Sequence, residues 1–260
     1  MSARTAPVTA WTSAQRVVAQ PGGLLMTAVI DAMVVTVLAG VWRAAAGANG
    51  GTIAGYSAAA VTWYIATSEA GTISMNSRLI DDIGTDIASG AITVELLRPV
   101  SVLRQRLLVE FGRVLPRLAV CIATGFIVAR LTGGRLPSGW AALLAIPSLV
   151  LAVACNIVAQ HVFAAGSFWL RESRAMWFLY QKLVFMLGGM LIPLEVFPSW
   201  LRTMAVMTPF PSMAYTPARL ASGHFEPGLL GVQVAWLAVL GGVAAFVFGR
   251  GERRLQVIGG

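Results

Sequence analysis

The sequence predicts an all-α, polytopic membrane protein with six transmembrane helices. Three observations carry that prediction. Of 260 residues, 57% are hydrophobic and only 12% are charged, about half the charged share of a soluble domain. The apolar residues gather in runs of about 20, the length at which a helix crosses the hydrocarbon core. The mean hydropathy is +0.75. The net charge of +8 does not argue for nucleic acid. The basic residues sit at the ends of apolar runs, where orientation rules and anionic headgroups account for them. Cys121 and Cys155 fall inside predicted spans and read as small apolar core residues.

Taken in order, the first segment is polar and small, and Trp11 to Gln20 reads as a short interfacial helix. The first span is 22–42. Its apolar run is too long, and its lead too weakly charged, for a cleaved signal peptide. A glycine-rich loop (Gly47 to Gly51) leads to the second span, 52–70. Asn76 to Val100 is unlike either neighbour: it holds Asp81, Asp82, Asp86, Glu95, Arg78 and Arg98. Ile80, Ile83 and Ile87 share one helical face. Gly90 is a stop for that helix and Pro99 ends the stretch.

Ser101 reads as the N-cap of the next helix, on which Arg106 and Glu110, or Glu110 and Arg113, are spaced to pair. That helix becomes the third span at 114–131, with Arg113, Arg117 and Arg130 reaching the interfaces. Gly133 to Pro137 is a turn. The fourth span is 140–163, with a kink expected at Pro147. Arg171 to Arg174 is a charged loop, and Ala175 to Lys182 an interfacial piece. The fifth span, 183–197, is short and broken by Gly188, Gly189 and Pro193. Pro198, Pro209, Pro211 and Pro217 then forbid one straight helix, so short helices in or re-entering the outer leaflet fit Pro198 to Leu220. The sixth span is 229–248. Six spans place both termini on one side. With the N-terminus inside, 14 of the 19 basic residues fall on cytoplasmic segments, and the positive-inside rule selects that orientation.

The sequence holds no phosphate loop: its only lysine, Lys182, lies outside any glycine-rich G-x-x-x-x-G-K-[ST] pattern, so this chain has no such nucleotide site of its own. It also lacks H-E-x-x-H and G-x-S-x-G, so a hydrolase reading has little support.

Two local patterns then carry a resemblance. Ser89-Gly90-Ala91-Ile92 followed by Glu95-Leu96-Leu97-Arg98-Pro99-Val100 is similar to the S-G-x-I/L and L-L-R-P stretch of small ABC-2 permeases that work with a separate ATPase. Gly188-Gly189, Ile192-Pro193-Leu194, Phe197-Pro198-Ser199-Trp200-Leu201 and Thr208-Pro209-Phe210 resemble the later proline-broken segment of ABC-2 proteins. The paired glycine departs from the single one common there. The resemblance covers essentially the whole chain and implies one ABC-2 type transmembrane domain over 1–260.

The resemblance further implies a transmembrane permease subunit of an exporter in a bacterial cytoplasmic (inner) membrane, and not an enzyme in its own right. Two ATPase subunits would carry ATP and Mg, and a second permease chain, identical or sister, would complete the pore within membrane lipid. The cargo would be a hydrophobic or amphipathic compound such as a drug, antibiotic, peptide or lipid-like molecule. The helix between spans two and three would be the coupling helix. Its isoleucine face (Ile80, Ile83, Ile87) would be buried on the ATPase, and Asp81, Asp82 and Asp86 would pair with basic groups at the rim. Gly90, Glu95, Arg98 and Pro99 complete that coupling set.

Asp31, in the middle of the first span, is a costly charge. It must pair with another helix, face a polar cavity, or hold a proton. Glu69 reads as interfacial. Asn156 and Gln160 share a face of span four, where interhelical hydrogen bonds or substrate contacts both suit them. With Met190, these residues form the candidate substrate path. Pro193, Glu195 and Phe197 are the candidate outer gate. A competing class is an ion-coupled secondary transporter using Asp31 and His161. Inverted repeats would mark it, and none is evident.

Overall fold

The computed structural model describes residues 5–96, 100–132, 140–170 and 173–258. Helix α1 spans Thr5–Val18 and α2 spans Pro21–Ala48, with Pro21 at its first turn, where a missing N–H costs nothing. The α2 helix runs six residues beyond the predicted span. A two-residue antiparallel hairpin follows, β1 (Thr52–Ile53) against β2 (Tyr56–Ser57). It occupies the first residues of the predicted second span. Helix α3 therefore starts later, at Ala58, and runs to Ile73, with the Ser57 side chain accepting from the Ala60 N–H.

Helix α4 is Leu79–Ala88 and α5 is Ile92–Leu96. Helix α6, Val102–Leu131, is one continuous helix of 30 residues capped by Ser101, as the sequence predicts, and it carries Pro116 inside it. Helix α7, Trp140–Ala165, passes through Pro147 as unbroken helix and is followed by a 3₁₀ turn at Gly166–Phe168. The fifth span differs most from expectation. Helix α8 is Ser173–Leu187, merging the interfacial piece with the start of the apolar run, and it ends at Gly188. Gly189 has φ +65°, a conformation that costs any residue with a Cβ, so residues 188–197 are not a helix. A 3₁₀ turn at Leu194–Val196 leads to the short helices α9 (Ser199–Val206) and α10 (Tyr215–Ala221), with a 3₁₀ turn at Phe210–Met213 between them. Helix α11 is Gly228–Ile258.

Four helices, α2, α6, α7 and α11, are long and apolar enough to cross a membrane. At 1.5 Å per residue, α3 (16 residues) and α8 (15 residues) reach only about 24 and 22 Å, short of a core of about 30 Å.

Helices α2, α3 and α6 pack together, and α7 packs against α11, α10 and α4. Small residues let the helices approach. A Cβ on Gly125 of α6 would sit 3.3 Å from Ala66 of α3, and one on Gly112 would sit 2.1 Å from the Ala10 carbonyl oxygen of α1. The α1 helix is thus laid directly along the lower part of α6. The largest buried cluster joins α4 to α7, α8 and α11 through Ile80, Ile83, Ile87, Val158, Phe168, Tyr180 and Phe248.

Candidate functional site

Helix α4 is short and strongly two-faced. Asp81 and Asp82 lie in its first turn, where carboxylates favour the helix dipole. The Asn76 side chain accepts from the Arg78 N–H at 3.1 Å just before it. Gly90 follows the C-cap at φ +75°, the glycine stop the sequence predicts. Leu79, Ile80, Ile83 and Ile87 are all buried, but inside this chain, against α7 and α8. That overturns the expected use of the isoleucine face as a partner surface: the protein's own core covers it. Gly84 shows how close the seat is, because a Cβ there would lie 2.2 Å from the Ser173 Cβ of α8. The exposed side of α4 carries Arg78, Asp82, Thr85 and Ser89. Arg78, Asp81, Asp82 and Thr85 form one open hollow with Ser173 and Arg174.

Asp86 and Glu95 are also engaged internally. Arg106 of α6 donates from Nη2 to Asp86 at 2.7 Å, and from Nε and Nη2 to the two Glu95 oxygens at 2.9 Å each. This fork ties α4, α5 and α6 together and has bidentate geometry. Arg106 is therefore not paired along its own helix with Glu110, as its spacing suggested. Glu110 has Arg113, at 3.5 Å, instead. Arg98, Pro99, the predicted turn at Gly133 to Pro137, Arg171 and Glu172 lie outside the described residues.

Beside α4 is a cavity of about 400 Å³. Asn156 and Gln160 of α7 form its polar wall. The Asn156 Oδ1 accepts from Gln160 Nε2 at 2.7 Å and from the Tyr180 hydroxyl at 2.8 Å. Met190, Val184 and Phe185 supply apolar surface, and Thr72 to Ser77, at the end of α3, forms the lip. The Trp177 indole N–H donates to the Ser77 carbonyl at 2.6 Å, holding α8 to the link between α3 and α4. The lining thus combines two side-chain amides with an apolar wall, the make-up common to small-molecule pockets.

Three predicted path residues, Asn156, Gln160 and Met190, meet at this cavity. Asp31 does not line it. It is fully buried in α2, and neither carboxyl oxygen has a hydrogen-bond partner. Glu69 of α3 is 4% exposed and is buried rather than interfacial, and its Oε1 has no hydrogen-bond partner among the described residues. His161 sits elsewhere on α7, with Nδ1 2.8 Å from the Ile157 carbonyl and its ring near Phe248 of α11. Asp31 and His161, the proton sites of the competing reading, lie in different packings, Asp31 in α2 and His161 against α11.

Away from this cavity, Glu195 is held by three side chains from two elements, β2 and α10. It accepts from the Tyr215 hydroxyl at 2.6 Å and the Tyr56 hydroxyl at 3.3 Å, and it forms an ion pair with Arg219. Arg219 Nε also donates to Glu226 at 3.0 Å. The His224 ring lies 4.7 Å from that of Tyr56, and its Nδ1 is 3.1 Å from the Ser222 hydroxyl. Pro193 and Phe197 flank the turn that presents Glu195. Next to it, the Tyr64 hydroxyl donates to the Gly189 carbonyl and the Ser68 hydroxyl to the Met190 carbonyl, satisfying the broken backbone as apolar surroundings require. Burial, and then the Arg219 charge, hold the His224 imidazole below its ordinary value. The Arg219 hydrogen bond holds the Glu226 carboxyl below its own.

Sequence reasoning missed Arg219 and the tyrosines. A signal was present: of only four tyrosines in the chain, Tyr56, Tyr64 and Tyr215 belong to this cluster and Tyr180 to the cavity.

The fold is a multi-helix one with four helices long and apolar enough to cross a membrane, and an amide-lined cavity lies near a two-faced short helix. The sequence agrees: residues 22–259 match the family model described as ABC-2 family transporter protein, and the chain belongs to that family. No curated protein matches the chain.

Proposed function

We propose that this chain is the permease subunit of an ATP-driven exporter. It would carry a hydrophobic or amphipathic compound out of the cytoplasm or inner leaflet, through six spans, with both termini cytoplasmic. Two ATPase subunits, holding MgATP, dock on α4, and a second permease chain completes the pore. The single observation that supports this reading best is the division of labour on α4. Its outer face offers Arg78, Asp82 and Thr85 to a partner, a charged and polar patch of the kind that selects partners. Its inner face, Ile80, Ile83 and Ile87, shares one packed cluster with Tyr180 and Val184, two residues of the cavity wall. Packed cores transmit displacement rather than absorb it, so a push on α4 reshapes the cavity. The outer tie of Glu195, Arg219 and Tyr215, with Pro193 and Phe197 beside it, is the gate that opens on the far side.

The test is coexpression with a candidate ATPase subunit and purification from solubilised membranes. The double variant Thr85→Arg/Ser89→Arg changes the exposed face beyond the first turn. It should lose the ATPase while keeping the parent's melting temperature. Undiminished copurification with that variant would remove α4 as the docking element.

A further inference from the structure

We propose that the cavity between α3, α7 and α8 takes an amphipathic organic anion. This rests on the reading of the cavity as the substrate path and adds the charge class of the cargo. Four observations support it. First, among the described residues no acidic side chain lines the cavity, and the only charged one that does is Lys182. Second, Lys182 is the one lysine among 19 basic residues. Among the described residues no carboxylate pairs with it, and its ammonium rests 5.0 Å from the centre of the Phe178 ring. Third, Asn156 Oδ1 accepts from two donors, which fixes the amide's orientation, and among the described residues its Nδ2 has no acceptor. Fourth, Met190, Val184 and Phe185 form an apolar wall, and the volume of about 400 Å³ is that of a small-molecule site.

An organic cation would meet the opposite conditions. It would meet the like charge of Lys182, an exposed side chain on the cavity wall, with no carboxylate among the described lining residues to offset the repulsion. The buried carboxylates that would suit a cation, Asp31 and Glu69, are not among the residues that line this cavity. An anion with an apolar body gains an ammonium and the Asn156 donors at one end and the Met190–Phe185 surface at the other. An anionic lipid headgroup with its chain offers the same chemistry, and the test separates the two.

The full chain is placed in nanodiscs of phosphatidylcholine, and two probes sharing one fluorophore are titrated. Dansylglycine is anionic and dansylcadaverine is cationic; empty discs are subtracted. Dansylglycine should bind saturably and roughly tenfold or more tighter, the lower bound for a hydrogen bond to a charged group. Lys182→Gln should abolish that preference, and Lys182→Arg should keep it. Equal or tighter binding of dansylcadaverine, or an unchanged preference in Lys182→Gln, overturns the proposal. Thr72→Trp, which fills the cavity from its lip, keeps the two readings apart. If it weakens both probes while no charge preference exists, only the cargo class fails. If it leaves both unaffected in a protein of parental melting temperature, the substrate-path reading fails with it. Repeating the titration with phosphatidylglycerol in the discs gives the last arm. Dansylglycine binding should persist; its displacement by that lipid would make the site a seat for bilayer lipid and overturn the cargo assignment.

Discussion

Replacing Gly84 with alanine tests how rigidly α4 is seated. The new Cβ would lie 2.2 Å from Ser173 Cβ and 2.9 Å from Ser167 Oγ. The first neighbour is bonded to the α8 backbone and cannot swing away, so the helices must separate by more than an ångström to restore van der Waals contact. Overpacking of this kind costs typically 1–3 kcal/mol, and the closeness here places it near 3. Alanine returns about 1 kcal/mol through its better helix propensity. The net is about 2 kcal/mol of destabilisation, or a melting temperature lower by roughly 4–8 °C for a chain of this size. The assay is thermal unfolding in detergent, with ATPase copurification measured on the same samples. Gly84→Ala/Ser173→Gly should recover most of the loss, because the closest obstructing atom is gone and the Ser167 hydroxyl can rotate. A Gly84→Ala protein as stable as the parent, or a double variant with no recovery, would refute the close seating of α4 on α8 and with it the path from α4 to the cavity.

Other outcomes follow from the same geometry. Arg219→Gln leaves Glu195 without its ion pair at a site where both side chains are about 15% exposed; it should cost roughly 3 kcal/mol, read by thermal unfolding, and adding Glu195→Gln should restore part of it. Acid should loosen the same cluster. The unfolded imidazole of His224 takes up a proton near its ordinary 6.5 and the folded one only at lower pH, so stability falls as pH drops below about 6.5. Glu226 adds stability above its ordinary 4.5 that is lost as pH falls through its lowered value. The groups around His224 are Arg219, Glu226, Tyr56 and Ser222, and His224→Gln should remove the upper part of that pH dependence in melts between pH 7.5 and 4. Gly189→Ala forces a Cβ into φ +65° and 3.1 Å from Tyr215 Cβ. It should cost about 1–2 kcal/mol, again seen as a lower melting temperature.

The long apolar helices were legible because runs of about 20 apolar residues have few alternatives. Ser101 and Gly90 were legible because caps act through local backbone chemistry. The isoleucine face of α4 was read correctly as a face and wrongly as to what covers it, since periodicity reports burial and not the identity of the neighbour. Arg106 shows the same limit: spacing along one helix favoured Glu110, while the true acceptors, Asp86 and Glu95, arrive from other elements. The segment predicted as the fifth span is not one helix because hydropathy ignores backbone freedom, and Gly188–Gly189 lets the chain leave the helix inside the apolar run. The cavity brought together Asn156 and Gln160, four apart on one helix, with Met190, which no local rule connects to them. Asp31 was singled out by its charge, but which helices surround it was settled by packing that no local pattern encodes.

The contact between Gly112 and Ala10 has a mechanical consequence. If α6 turns about that crossing, its two arms are unequal: Arg106 lies about 9 Å on one side and Leu131 about 28 Å on the other, at 1.5 Å per residue. A displacement of about 1 Å delivered through the Arg106 fork then becomes about 3 Å at the far end. There the Thr132 carbonyl accepts a hydrogen bond from Arg43, near the end of α2. On that premise a small stroke at the Arg106 end would be enlarged at the Leu131 end and passed on to α2.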